Sequence, residues 1–229
     1  GISMAHVEEV LNKLKAKSRS DQLQGMARYG IGVEKRLGVS VPGMRKIAKE
    51  IGKDHQLALD LWKTGIPEAM MLASMVDVPQ EVTQEQMEDW VKGFNSWDVC
   101  DQVCMNLFAK TPLAGQKILD WSRREEEFVK RAAFALIACQ AWHNKEAPDE
   151  EFIQLIPVIK QAADDERNFV KKAVNWALRN IGKRNPTLNQ AAIEAAREIQ
   201  QIDSKAARWV ASNAIRELES EAVQRRLSK

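Results

Sequence analysis

The chain has 229 residues, of which 45% are hydrophobic and 29% are charged, as is typical of a globular protein with a buried core. Its 34 Lys and Arg residues nearly balance 32 Asp and Glu, so the net charge of +2 excludes a general polycation, and any anionic partner must bind a local basic patch. No apolar run has the length of a membrane span and no secretory leader is visible, so we expect no membrane partner.

The cysteines and histidines are few and dispersed. The three cysteines lack CxxC spacing and the three histidines are far apart, so we expect neither a disulfide framework nor a metal site. Free thiols favour a reducing compartment, and we expect the protein to be cytoplasmic. The residues concerned are Cys100, Cys104 and Cys139, and His6, His55 and His143.

Gly1-Ile2-Ser3 precedes Met4 and is typical of a cloning remnant, so we expect residues 4–229 to form a single domain. Apolar residues recur at helical spacing over nearly this whole range, in segments of about 10 to 17 residues with short polar breaks. Ala, Leu, Glu, Lys, Gln and Arg, which favour helices, are abundant. The sequence therefore predicts an all-α protein with about a dozen or more helices and no strand.

Helix start signals mark several of the breaks. Ser40 followed by Pro42 combines an N-cap residue with a proline suited to the first turn. A Thr followed three residues later by Gln is a capping-box pattern, and it occurs twice. The predicted starts are at Ser40, Thr83, Asn95-Ser96, Asp149 and Thr187.

The helix that follows Ser96 reads WDVCDQVCMNLF, and Trp97 and Asp101 share one edge of its apolar arc. A carboxylate beside a Trp can stabilise a cationic transition state, as when a glycosidic bond breaks with oxocarbenium character. The alternative is structural, with Asp98 or Asp101 serving the helix N-terminus or pairing with Arg131. The predicted core arc consists of Val99, Cys100, Val103, Cys104, Leu107 and Phe108.

The second half of the chain contains an internal repeat. FVKRAAFAL at 128–136 aligns with FVKKAVNWAL at 169–178, an offset of 41 residues, and a weaker echo, ARWVASNAI, begins at Ala207. A period near 40 with two helices per unit is typical of HEAT-like repeats, which stack into a curved solenoid with a concave surface. The alternative is a chance match between two Ala-rich amphipathic helices.

On a helical wheel, the second copy of the repeat has a stripe beside its packed face, formed by Lys172, Trp176, Arg179 and Lys183. Trp176 is predicted to border the core with its ring face available beside these cations. The alternative is a boundary Trp that only covers core. Arg131 takes the position of Lys172 in the preceding copy, so the cationic stripe recurs.

Basic residues concentrate in these helices. Residues 128–142 and 167–184 together carry eight Lys or Arg and no Asp or Glu, and residues 28–53 carry seven basic residues against two acidic ones. Basic stripes with interleaved aromatics suit a phosphate backbone. The alternative is a scaffold that uses the same curvature to bind an acidic protein.

Four motifs, in this order and at this spacing, resemble the AlkD-type DNA alkylation-repair glycosylases from about Tyr29 to the C-terminal repeat. The motifs are Met26-Ala-Arg-Tyr29, Ser96-Trp97-Asp98-x-x-Asp101, Lys130-Arg131-Ala-Ala and Lys172-Ala-x-x-Trp176-x-x-Arg179. The resemblance implies a HEAT-like repeat superhelix with a concave, basic DNA groove. It also implies excision of cationic N3- and N7-alkylated purines from double-stranded DNA without a metal or a cofactor, and without flipping the base into a pocket.

The resemblance also implies roles for individual residues. Trp97 and Trp176 would contact the deoxyribose and backbone of the lesion through their ring faces. Asp101 would stabilise positive charge on the sugar and position the attacking water, and Arg131 would be the cation near the catalytic site. The implied DNA contacts are Tyr29 and Arg179, to which the stripe adds Lys172 and Lys183.

An alkylated purine is already cationic and leaves without protonation, so one carboxylate, ring faces and a phosphate clamp could suffice. We expect a monofunctional glycosylase without lyase activity, monomeric and associated with the nucleoid when bound to DNA. Ser96 is a departure, because the family motif has a second Trp at this position. The alternative function is a non-catalytic HEAT-like module that binds DNA or an acidic protein.

Overall fold

The computed structural model describes residues 2–28 and 35–229, and within these ranges every regular element is helical, which confirms the predicted all-α class. Tyr29, predicted to contact DNA, lies outside the described residues. The chain divides into two compact units, one ending at Leu113 and the other beginning at Ala114. The expectation of a single domain over residues 4–229 stays a prediction.

The described residues of the first unit form helices and two 3₁₀ turns, the latter at Pro79–Glu81 and Phe108–Lys110. Its helices are α1 (Ile2–Ala16), α2 (Ser20–Arg28), α3 (Val41–Ile51), α4 (His55–Lys63), α5 (Pro67–Val76), α6 (Gln84–Lys92) and α7 (Trp97–Asn106). Helix α5 packs against α3, α4 and α7 and is buried along its whole length.

The second unit is also helical. Its helices are α8 (Ala114–Ser122), α9 (Glu127–His143), α10 (Asp149–Ile153), α11 (Ile156–Ala162), α12 (Asn168–Gly182), α13 (Pro186–Gln200), α14 (Lys205–Leu218) and α15 (Glu221–Leu227). The longer helices, α9, α12, α13 and α14, pack against one another or against α8. Helix α9 pairs with α8, and α14 with α13, while α12 packs against both α9 and α14.

The internal repeat is confirmed by this packing, because its three copies are the adjacent helices α9, α12 and α14. Phe128 and Phe169, which begin the two strongest copies, place their ring centroids 5.3 Å apart. Further along the same two helices, the Asn180 side chain donates to the Ala138 carbonyl at 3.0 Å. The two helices thus lie side by side in the register of the repeat, to within one residue, which a chance sequence match would not produce.

Two of the predicted helix starts have the expected caps. The Ser40 hydroxyl accepts from the Gly43 amide at 3.2 Å, and the Thr83 hydroxyl accepts from the Gln86 amide at 3.1 Å. Each such cap contributes about 1 kcal/mol to the stability of its helix. Trp97 and Asp149 also begin helices at predicted starts, directly after Ser96 and Pro148.

The start predicted at Thr187 is wrong. Helix α13 begins at Pro186, and the side chain of Asn185 caps it by accepting from the Leu188 amide at 2.8 Å. Asn is at least as strong a cap as Thr, and the following proline has the backbone angle that a first helical residue requires. The helix therefore begins earlier than the capping-box pattern indicates.

A buried carboxylate anchors the segment before α3. The Glu68 side chain is fully buried and accepts from the backbone amides of Leu37 and Gly38 at 3.0 and 2.8 Å. Gly38 has a φ of +73°, and a Cβ there would lie 2.4 Å from the Arg19 carbonyl oxygen. Only glycine fits this turn, and the turn fixes Arg36 beside the start of α7.

Candidate functional site

Helix α7 carries the predicted catalytic carboxylate. The apolar arc predicted for this helix and the turn after it is confirmed, since all of its members, including both cysteines, are buried. Trp97 is half-buried and Asp101 is 9% exposed, so both lie at the margin of this packed arc. The members of the arc are Val99, Cys100, Val103, Cys104, Leu107 and Phe108.

Asp98 serves the N-terminus of α7, one of the structural roles that the sequence offers for the carboxylates of this helix. Its carboxylate lies 2.7 and 2.9 Å from the guanidinium nitrogens of Arg36 and accepts from the Val99 amide at 2.9 Å. The Ser96 hydroxyl donates to the same carboxylate at 2.7 Å and accepts from Arg36 at 3.1 Å. The N-terminus of α7 is thus served by Asp98, one turn before Asp101.

The departure at position 96 has a local physical reason. Ser96 is 8% exposed, and its hydroxyl lies between the charged groups of Arg36 and Asp98. A small side chain that both donates and accepts fits this space, whereas an indole would displace the ion pair. Ser96 therefore belongs to the supporting structure of α7.

Arg131 differs from the expectation of an exposed cationic stripe. It is 7% exposed, and its Nη1 donates to the Phe169 carbonyl at 2.6 Å, which joins α9 to the first turn of α12. The long side chain reaches a backbone acceptor at the contact of two packed helices, so the wheel position alone does not give its exposure. Lys172, the equivalent position in the next copy, is exposed as predicted.

The second unit places several predicted cations around a cleft of about 460 Å³ between α12 and α14, named here the α12–α14 cleft. It brings together Lys172 and Arg179 of the predicted stripe. Trp176 is half-buried on the same helix, at the margin of the packed face. The residues that line the cleft are Lys172, Asn175, Arg179, Trp209, Asn213, Arg216 and Glu217.

Glu217 of α14 is the main feature of this cleft that the sequence does not predict. Its carboxylate lies 2.8 Å from Arg179 and 3.0 Å from Lys183. Burial alone would raise the pKa of Glu217, but hydrogen bonds from both cations outweigh burial and hold the pKa below its ordinary value. Two cations of the predicted stripe therefore share a carboxylate, whereas Lys172 has none in the described ion pairs.

Two further residues shape the cleft. Asn175 is 2% exposed; it donates to the Val210 carbonyl at 3.1 Å and accepts from Arg179 Nε at 2.7 Å, which fixes the direction of the guanidinium. Trp209 is 37% exposed, with the Lys171 ammonium 5.1 Å from its ring. The sequence could have indicated Trp209, because this residue lies in ARWVASNAI, the third and weakest copy of the repeat.

Residues 2–28 and 35–229 contain no group of three or more His, Cys, Asp or Glu side chains that could hold a metal ion. No helix in this part of the chain is both long and apolar enough to cross a membrane.

Comparisons with known proteins identify relatives over most of the chain. A family model described as DNA alkylation repair enzyme matches residues 10–218. An uncharacterized protein of Listeria innocua is 23% identical over 72% of this chain and 73% of its own length. A similar protein of Listeria monocytogenes is 21% identical over the same shares.

The fold is similar to that of a solved structure. That structure is described as a new family of proteins related to the HEAT-like repeat DNA glycosylases with affinity for branched DNA structures. The match has a TM-score of 0.74 and 19% identity, and it covers 92% of this chain and 94% of that one. The likeness supports a HEAT-like repeat fold, in agreement with the adjacent repeat helices.

Proposed function

The chain belongs to the DNA alkylation repair enzyme family, and we propose that it is a monofunctional DNA glycosylase. Its proposed reaction is hydrolysis of the N-glycosidic bond of cationic N3- or N7-alkylated purines in duplex DNA. The observation that carries the proposal is the placement of Asp101 and Trp97 at the margin of α7, while Asp98 serves the helix N-terminus. A lone carboxylate beside a Trp would repel phosphate, so its presence in the motif favours chemistry at the sugar over phosphate binding alone.

In the proposed reaction, the bond between C1′ and the purine nitrogen breaks and its electron pair goes to the base, which cancels the positive charge of the alkylated ring. The Asp101 carboxylate stabilises the positive charge that develops on the sugar. Water then attacks C1′ and loses a proton to the carboxylate or to solvent. The products are a neutral alkylpurine and an abasic site.

DNA binding is proposed to use ring faces and cations. Trp97 and Trp176, both half-buried, would offer their ring faces to the sugar and backbone. Arg179 and Lys183, with the exposed Lys172, would contact backbone phosphates. The family resemblance implies that no base-flipping pocket is required.

Arg131 keeps a place in the proposed catalytic set through the resemblance of its motif. Its buried guanidinium also holds the Phe169 carbonyl, so it orders the first turn of the helix that carries Trp176. Loss of Arg131 is therefore expected to change the position of α12 as well as local charge.

A second candidate is binding of branched DNA without base excision. The similar solved structure is described with affinity for branched DNA structures, and Ser96 replaces a Trp of the glycosylase motif. The two candidates are separated by incubating the protein with a duplex that contains 7-methylguanine and measuring abasic sites by alkaline strand cleavage. Release above the spontaneous rate supports the glycosylase. Tight binding of a four-way junction with no release supports the second candidate.

A further inference from the structure

A second cationic cluster lies in the first unit and contains none of the residues assigned above. Side chains from α3, from the loop that follows it and from the 3₁₀ turn after α7 converge on a cavity of about 350 Å³. Four of them are cations, and the cluster is named here the α3 basic cavity. Its cations are Arg45, Lys49, Lys53 and Lys110.

The hydrogen-bond partners of these cations leave their charge uncompensated. Arg45 donates to the amide oxygens of Gln102 and Asn106, each at 3.3 Å, and Lys53 donates to the Met75 carbonyl at 2.9 Å. These acceptors are neutral. Among the described residues, no carboxylate lines the cavity or forms an ion pair with any of the four cations.

The two carboxylates that are close in sequence are engaged elsewhere. Glu50 lies 3.7 Å from Lys13, and Asp54 caps α4 by accepting from the Leu57 amide at 3.0 Å. Burial lowers the pKa of the Lys110 ammonium, and the nearby positive charges of Lys53 and Arg45 lower this pKa further. The cations therefore repel one another across the cavity, and a bound anion would relieve that repulsion.

We propose that the α3 basic cavity binds a phosphodiester of the DNA backbone, which gives the first unit an ionic contact of its own. A guanidinium with several ammonium groups matches a phosphate, because the planar group can donate two parallel hydrogen bonds while the ammonium groups neutralise charge. The choice of DNA as the source of the phosphate rests on the proposed function. The contact carries no sequence or damage information, since phosphate is the same at every nucleotide.

The test uses the full chain with Lys49 and Lys110 both changed to Gln, which removes two charges and keeps side-chain length. The matched control changes Lys15 and Lys92 to Gln, two exposed lysines of the same unit outside the cavity. Fluorescence anisotropy with an undamaged duplex gives the binding constant at a series of salt concentrations. Base release from a 7-methylguanine duplex is measured separately on all three proteins.

The cavity variant is expected to weaken duplex binding and to lower the slope of log K against log salt by about 1 to 2, whereas the control stays near wild type. If the cavity variant and the control have the same slope of log K against log salt, the phosphate site is overturned, even if wild type releases 7-methylguanine. A lowered slope without base release by wild type would leave the site standing and overturn the proposed function. Binding of a nucleoside monophosphate in preference to duplex would overturn the backbone assignment.

Discussion

The guanidinium of Arg179 lies 2.8 Å from the carboxylate of Glu217, so a cation proposed to hold phosphate already has an acidic partner within the second unit. Lys183 lies 3.0 Å from the other oxygen of the same carboxylate. A phosphate that binds these cations must compete with Glu217 or share them with it. The carboxylate is therefore expected to weaken DNA binding.

Replacement of Glu217 by Gln is expected to tighten duplex binding. The change removes about 1 kcal/mol of competing attraction at this partly exposed site, which corresponds to about fivefold in affinity. Anisotropy titration with duplex DNA measures the effect. The control is Glu219→Gln, which removes the partner of Arg197 at 3.0 Å, outside the α12–α14 cleft, and should leave affinity unchanged. Weaker binding by Glu217→Gln would mean that the carboxylate positions the cations.

Replacement of Arg179 by Ala is expected to weaken duplex binding and to lower its salt slope by about 1, as the loss of one phosphate contact should. The matched control is Arg197→Ala, because Arg197 also forms an ion pair with a glutamate but lies outside the α12–α14 cleft. The slope is read from binding constants over a salt series. An unchanged slope for Arg179→Ala would place this guanidinium away from DNA.

Asp165 is expected to make the second unit sensitive to acid. Its side chain is 9% exposed and lies 2.9 Å from both Lys130 and Arg167. Burial alone would raise the pKa of Asp165, but the hydrogen bonds from Arg167 and Lys130 hold the pKa well below its ordinary range. Because the folded pKa lies below the unfolded value of about 4, the carboxylate stabilises the fold above that pH, and the contribution is lost as pH falls through the folded pKa.

Urea unfolding at several pH values tests this expectation. At neutral pH, Asp165→Asn should lower the free energy of unfolding by about 1.5 to 3 kcal/mol, the range for hydrogen bonds to charged groups. The difference from wild type should shrink as the pH falls below about 4. The neighbouring Asp164 is exposed, so Asp164→Asn is the control and should have little effect. If Asp165→Asn lowers the free energy of unfolding by the same amount at every pH, the charge of Asp165 is not the cause of the loss.

Ser96 should matter for stability more than for chemistry. Ser96→Ala removes a hydroxyl that is hydrogen-bonded to Asp98 and Arg36, and the expected cost is about 1 to 2 kcal/mol in the free energy of unfolding. The rate of base release, measured well below the unfolding transition, should stay close to wild type. The control is Ser122→Ala, whose hydroxyl bonds only within its own helix, to Leu119 at 2.9 Å. Lost base release in a stable Ser96→Ala protein would assign Ser96 a catalytic role.

The features that the sequence predicts correctly depend on regular spacing. The packed arc of α7 and the marginal position of Trp176 on α12 follow from a period of 3.6 residues, and the pairing of α9 with α12 follows from the offset of 41 residues between the repeat copies. The features that the sequence does not predict are pairings between distant segments. Asp98 binds Arg36 across 62 residues and Arg179 binds Glu217 across 38.

Arg131 shows the same limit in another form. The wheel places Arg131 on α9 at the position that Lys172 has on α12. The packing of α12 against α9 covers the Arg131 side chain, however, whereas the Lys172 side chain is exposed. Periodicity gives the direction of a side chain from its own helix, whereas exposure depends on which helix packs beside it.

Release of 7-methylguanine from duplex DNA by wild type and Asp101→Asn tests the central claim most directly. Asp89→Asn, which removes an exposed carboxylate of the same unit, is the matched control. Wild type and the control should generate abasic sites well above the spontaneous rate, while Asp101→Asn should be slower by about 100-fold or more with duplex affinity retained. Equal release by Asp101→Asn and wild type, or no release by wild type above the spontaneous rate, would contradict the proposed mechanism.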